Sequence, residues 1–199
     1  MNKKQKEQNK TLRNIFLWLI AAMVIFILVF FIADEAKKTN YNGVSFKMIK
    51  EGQITLYQTT FPFYKDGEKI ADYNFYLRTS PNELKDVPFN GNLTIKKNVV
   101  FNPNDELNCD GDGIIAVANI VQNLYGYLNA TVIRDENATC DSLGRYSLIN
   151  IKTANSTGIN QTGNSCYDIN VANCEILKAT ERYMLEGFVK INGVINRTN

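Results

Sequence analysis

The stretch Ile15–Ala33 constrains this chain more than any other: 19 uncharged, almost wholly apolar positions without a proline or glycine. Wound as a helix at about 1.5 Å per residue it is about 28 Å long, enough for a hydrocarbon core of about 30 Å. Lys3, Lys4, Lys6, Lys10 and Arg13 precede it, and Asp34 and Glu35 follow. Positive charge stays on the cytoplasmic side. The expected layout is a cytoplasmic basic tail over 1–13, an uncleaved signal-anchor helix over 14–34, a juxtamembrane linker over 35–45 and an extracytoplasmic domain over 46–195. The lipid bilayer is thus the first expected partner, and the cell membrane, with the amino terminus inside, the expected location. A cleaved secretory signal would have a shorter apolar region and a small-x-small site, which this run lacks. A pilin-like segment is the other rival, but no Gly or Ala follows the basic run and no acidic residue sits early in the apolar stretch.

Beyond the anchor there is chain enough for one domain with its own core. The first 13 residues carry five Lys or Arg against Glu7 alone, so with a chain net charge of +2 the outer part is close to neutral or slightly acidic and has no basic stripe to hold nucleic acid. There is no histidine, which removes the commonest general base and imidazole metal ligands. No cofactor is expected.

Periodicity and turn chemistry outline an α+β domain, with a mixed α/β arrangement as the variant. Strands are expected over Val44–Ile49, Gln53–Tyr64 and Lys69–Thr79, the last two a hairpin across Asp66-Gly67, with Pro62 better suited to an edge or a bulge. Ser80, Pro81 and Glu83 read as the start of a two-turn helix ended by Pro88. Further strands are expected over Asn92–Phe101, Thr131–Arg134, Tyr146–Thr153 and Tyr167–Val171, with Asn155–Ser165 a polar loop. Helices are expected over Gly113–Asn129, with Ile114, Val117, Val121 and Leu124 on its apolar face, and over Glu175–Ile191.

All four cysteines, Cys109, Cys140, Cys166 and Cys174, lie beyond the anchor, and an even number in an oxidising compartment favours two disulfides. Three pairings are open; Cys109–Cys140 with Cys166–Cys174 is the most local. The spacing of a zinc or redox site is absent. Beyond the anchor, Asn-x-Thr occurs at Asn92, Asn129, Asn137, Asn155, Asn160 and Asn196, always with threonine, more often than an Asn-rich composition would scatter it. These are expected glycosylation sites.

Asn108, Asp110 and Asp112, followed by Gly113, match the opening of a calcium loop. Position 12, however, is Asn119 where a bidentate Glu belongs, and a helix cap by Asp110 or Asp112 is the simpler reading. Glu175, Lys178, Arg182 and Glu186 read as i, i+3 and i, i+4 neighbours on a wet helix face rather than as catalytic groups. Phe61, Phe63 and Tyr64 could form a contact patch near a hairpin tip.

The run from Tyr73 to Pro88 (YNFYLRTSPNELKDVP), taken with Cys109, Cys166, Cys174 and the Ala179-Thr-Glu-Arg-Tyr helix, resembles a group of uncharacterised single-pass proteins of small-genome (DPANN-type) archaea. The likeness covers roughly residues 46–190. It implies an archaeal envelope and supplies no activity. The expected function is non-enzymatic: an outer domain that binds an envelope protein or glycan, or an accessory subunit of a surface complex. The alternatives are a carboxylate-based enzyme such as a glycan hydrolase, and a filament subunit.

Overall fold

The computed structural model describes residues 3–35, 37–65, 67–103 and 109–198, with the side chains of 3–12, 15, 32–34, 103 and 198 excepted. The chain divides into two compact units, Met1–Lys38 and Thr39–Asn199. The first is helix α1, Lys3–Glu35. Every described side chain from Phe16 to Phe31 is apolar and exposed, Trp18 at 78% and Phe26 at 73%. Among the described residues no helix is long and apolar enough to cross a membrane; Ile15 and residues 32–33 of the apolar run fall outside the described side chains.

The second unit is an α+β domain. Its first sheet is a four-stranded meander of β1 (Lys38–Tyr41), β2 (Val44–Glu51), β3 (Ile54–Lys65) and β4 (Glu68–Leu77) in that spatial order. β1 and the start of β2 occupy part of the expected linker 35–45. Alternation sets the faces: Val44, Phe46, Phe61, Phe75 and Leu77 are buried, whereas Ser45, Lys47, Thr60 and Tyr76 are exposed. Pro62 sits opposite Asp72, beside a register shift between Phe63 and Tyr64. The pairing of β2 with β3 runs only from Lys47↔Gln58 to Glu51↔Ile54, so the missing proline amide breaks no bond on that side.

The second sheet has six strands in the order β5-β9-β10-β8-β6-β7: β5 (Phe89–Asn90), β6 (Asn98–Pro103), β7 (Thr131–Arg134), β8 (Ser147–Thr153), β9 (Gly158–Gly163) and β10 (Cys166–Val171). β10, β8, β6 and β7 run parallel, and β9 lies antiparallel to β10. β9 falls within the expected polar loop. Only Ile159 of its six residues is a large apolar side chain, so a search for apolar alternation passes over it. Gly163 closes it because a Cβ there would collide with Cys140 Sγ. The expected strand from Asn92 instead begins at Asn98. Residues 92–96 run beside the sheet, where the Tyr167 hydroxyl accepts from Thr94 N at 2.7 Å and donates to Asn92 O at 3.0 Å. A buried tyrosine thus replaces a strand partner.

Three helices lie with the sheets. α2 (Pro81–Leu84) is a single turn, shorter than expected, and Ser80 Oγ caps it by accepting from Glu83 N at 3.1 Å. α3 (Asp112–Ala118) continues as a π-helical stretch, Asn119–Tyr125. Its buried residues are Gly113, Ala116, Ile120, Leu124 and Tyr125, and Val117, Val121 and Leu128 of the expected apolar face pack partly buried against the core, whereas Ile114 is 71% exposed. The wider i→i+5 winding accompanies the burial of both Leu124 and Tyr125.

α4 (Ile176–Thr198) is the centre of the domain and runs seven residues beyond the expected end. Phe188 meets Phe46, Phe61 and Phe75 of the first sheet, with ring centroids 4.8–6.3 Å apart. Tyr183 meets Tyr167 of the second sheet edge-on at 5.7 Å and shares a 2.7 Å hydrogen bond with the Tyr125 hydroxyl of the π stretch. The inner faces of both sheets therefore converge on one helix.

Both disulfides form, in a non-local pairing: Cys109–Cys174 and Cys140–Cys166. The local alternative fails on geometry. β10 is extended from Cys166 to Val171 at about 3.3 Å per residue, which carries Cys174 far beyond the 4.4–6.8 Å that bridged Cα atoms require. Instead the packing of α3 against α4 brings Cys109 to Cys174, and the loop before β8 folds over β10 to bring Cys140 to Cys166. The closed loops span 65 and 26 residues, which on chain-entropy grounds stabilises the fold by about 3–4 kcal/mol each. A non-reducing peptide map will show these two linkages. The double replacement Cys109→Ser with Cys174→Ser will lower unfolding free energy by about 3–4 kcal/mol in a denaturant titration.

Candidate functional site

Adjacent residues of α4 hold a segment that the sequence reading left at the surface. Glu181 is fully buried, and its carboxylate accepts from Arg78 N at 2.6 Å and Thr79 N at 2.9 Å, just before α2. Arg182 is 6% exposed; its Nε donates to Val87 O at 3.0 Å, just after α2, and its Nη1 pairs with Glu186 Oε1 at 2.6 Å. Glu186 also accepts from the Tyr41 hydroxyl at 2.9 Å, and the guanidinium lies over Phe89 and Tyr41. The expected i, i+3 pair Glu175–Lys178 and i, i+4 pair Arg182–Glu186 both form, but around Arg182 the expected wet face is a buried clamp. Its charges are spent on backbone groups and on each other, which suits holding a loop rather than reacting with a substrate. Burial pushes the Glu181 carboxyl above the usual range, and the two amides draw it part of the way back.

The calcium candidate lies partly outside the described residues, at Asn108. Asp110 has a left-handed backbone (φ 55°), and Asp112 pairs with Arg78 at 3.6 Å. Nor does either aspartate cap the helix, because the cap position is Gly111, left-handed and without a side-chain bond. Among the described residues no group of three or more His, Cys, Asp or Glu could hold a metal ion. The aromatic patch dissolves: Phe61 is buried, Phe63 packs on Tyr127 at 5.9 Å, and Tyr64 alone is exposed.

The six sequon asparagines share one property. Asn92, Asn129, Asn137, Asn155, Asn160 and Asn196 are all exposed. At Asn92 the Oδ1 accepts from Lys190 Nζ at 2.7 Å, which leaves the amide nitrogen turned outward. Asn92 also stands on the wall of a groove of about 760 Å³ between residues 92–95, the end of the α3 segment and the last turns of α4. Its floor is apolar, with Ile95, Leu128 and Val194, and Lys190 and Arg197 are its charged residues.

The second sheet buries one face under α4 and leaves the other open. On β10 the inner residues are Tyr167, Ile169 and Val171, and the outer ones Cys166, Asp168 and Asn170. The outer face has two zones. Val100, Leu148 and Cys166 form a small apolar patch roofed by Ala138 and Tyr146. The roofing loop is pinned by Asp141, which accepts from the Arg145 backbone at 2.7 Å, from its Nε at 2.9 Å and from its Nη2 at 3.2 Å. Beside the patch lies a polar row, exposed at Asn90 and Asn160 and half-buried at Asp168, Asn150 and Asn102, where Asn102 Nδ2 donates to Glu136 O of the loop after β7 at 3.3 Å. Asn90, Asn160, Asp168, Asn150 and Asn102 are consecutive register partners across β5, β9, β10, β8 and β6. Asn90 Nδ2 donates to Asn160 Oδ1 at 2.8 Å, Asn150 Nδ2 to Asp168 Oδ1 at 3.0 Å, and Lys152 Nζ to Asp168 Oδ2 at 2.6 Å. This row depends on register between strands, so the sequence read strand by strand did not disclose it.

No protein family, curated protein or solved structure matches the chain. The reading of the site rests on the geometry above.

The contacts with Arg145 hold the Asp141 carboxyl at about 2, against an ordinary 3.8. Its stabilising contribution is present above pH 3.8 and disappears as pH falls toward 2; Asp141→Asn will therefore lower stability at neutral pH and flatten its fall between about pH 4 and 2, read by denaturant titration at each pH. Glu181 has the opposite sign. Its folded carboxyl sits above 4.5, so its contribution is full below 4.5 and declines as pH rises through the folded value. Glu181→Gln will remove that decline, read as the slope of denaturant midpoint against pH from 4 to 8. Glu181→Ala leaves two buried amides without an acceptor and will destabilise by about 2–4 kcal/mol.

Proposed function

We propose that this is a single-pass membrane protein whose helix over residues 14–34 anchors a disulfide-stabilised, glycosylated outer domain that acts by binding, as an interaction module or accessory subunit at a cell envelope. The observation that carries the reading is α1 itself. From Phe16 to Phe31 it exposes an unbroken apolar surface in every direction, which in water is a liability and in lipid is the ordinary condition. The basic residues before it and the acidic pair after it orient the domain outward. Two disulfides suit an oxidising compartment, and six exposed acceptor asparagines suit a glycosylated surface.

Binding is favoured over catalysis for a stated reason. Among the described residues the buried charged groups, Asp141, Glu181 and Arg182, are engaged in holding loops, and the broad surface features are a polar sheet face and a largely apolar groove. Those are means of recognition. A partner with hydroxyls and amides, an envelope glycan or glycoprotein, fits the first of them.

The test is the intact mass of the membrane-extracted protein, with and without reduction and deglycosylation. The expected mass is that of the uncleaved chain plus sugar, less four hydrogens. A chain lacking its first 33 or so residues, or carrying four free thiols, would overturn the anchored reading.

A further inference from the structure

We propose that the polar row on the open face of the second sheet is the bed of the chain's own glycan at Asn160, holding that sugar flat against the domain rather than letting it project into solvent. The inference rests on the glycosylated reading above and goes beyond it, because it assigns one sequon a docked glycan and names the residues that dock it.

Asn160 is both a sequon and the second member of the row. Its amide is oriented along that row: Oδ1 accepts from Asn90 on the short edge strand, which leaves Nδ2 on the side away from Asn90, toward Asp168, Asn150 and Asn102. The linkage would join Nδ2 to the anomeric carbon of a lipid-phosphate-activated sugar; the amide gives up a proton and the lipid phosphate leaves. The sugar then starts at one end of a line of hydrogen-bonding side chains rather than in open solvent.

The chemistry of the line suits a sugar. Amides offer donors and acceptors together, as hydroxyls do. The row's single carboxylate, Asp168, is neutralised by Lys152, so the bed presents no net charge to a neutral ligand. Row members repeat at the strand spacing of about 4.8 Å, close to the width of a pyranose ring, so successive sugars can each meet a new strand. Because the glycan is tethered at the row, docking incurs no association entropy and can be held by contacts too weak to retain a free oligosaccharide.

None of the other five sequons is a member of this row. Asn155 lies in the connection between β8 and β9 and serves as the internal reference. Asn137 does not, because it follows Glu136, whose carbonyl accepts from Asn102 of the row at 3.3 Å.

The experiment is mild periodate oxidation of the folded full chain in detergent, followed by site-resolved glycopeptide mass spectrometry. Periodate cleaves vicinal diols, and sugars held against the sheet react slowly. The glycan at Asn160 is expected to oxidise about tenfold more slowly than that at Asn155, a difference equivalent to about 1.4 kcal/mol. In Asn150→Ala and Asn90→Ala variants, the first removing a row member and the second the partner that orients Asn160, the rate at Asn160 is expected to rise toward that of the reference. Non-reducing peptide maps verify that each variant keeps both disulfides. Equal rates at all sites in the unmodified protein, or a slow Asn160 rate that neither variant changes, overturn the bed while leaving glycosylation intact. Sugar at other sites but none at Asn160 overturns the bed alone; sugar at no site overturns the glycosylated reading with it.

Discussion

Two neighbouring side chains on α4, one acid and one base, hold the domain's connections in place. Glu181 takes the amides that enter the single-turn helix α2, and Arg182 takes the carbonyl that leaves it. Consecutive residues on a helix point in directions about 100° apart, so the pair grips the 78–87 segment at both ends from one turn of helix. That segment carries the chain from the first sheet to the second. Without the clamp the two sheets would share a helix but lack a fixed junction. The arrangement also explains why a charged dipeptide is found in the most buried stretch of α4: each charge finds hydrogen-bond partners in the place where water is excluded.

The layers follow from that junction. One sheet brings phenylalanines to α4 and the other brings Tyr167, so α4 is apolar on two sides and clamped on a third. A helix with neighbours on most sides cannot show a simple two-faced pattern, and its first half is buried almost throughout. The second sheet, by contrast, has one face to the core and one to solvent. Its outer face is polar except where the loop around Asp141 roofs a small apolar patch. The disulfide Cys140–Cys166 secures that roof, so the boundary between covered and open sheet is fixed covalently.

Much of the element order was legible because local rules spoke clearly. Ser80 and Pro81 mark a helix start, Val44–Ile49 alternates, and Glu175 onward carries a 3.6-residue period, and each became the expected element. The failures came where a residue's role was set by a distant partner. The strand around Ile159 is polar because its outer face is solvated. Residues 92–96 are held by a tyrosine 70 or more positions away. Glu181 and Arg182 look like surface charges until the backbone groups they grip are brought to them. The cysteine pairing depended on β10 being extended, which holds its two flanking cysteines apart. The exposure of the six sequons was expected of surface acceptors; the alignment of one of them with a row of amides was not visible, because register is a relation between strands and leaves no mark within any one of them.

The position of α4 in chain order bears on how the molecule comes into being. Both sheets converge on it, yet it follows every strand in the sequence. A chain emerging from its amino terminus can close the local meander of β1–β4 early, but the second sheet has its inner face bare until the final helix arrives. During that interval the apolar inner face of the second sheet is unshielded, and completion comes as a single late event when the last helix docks.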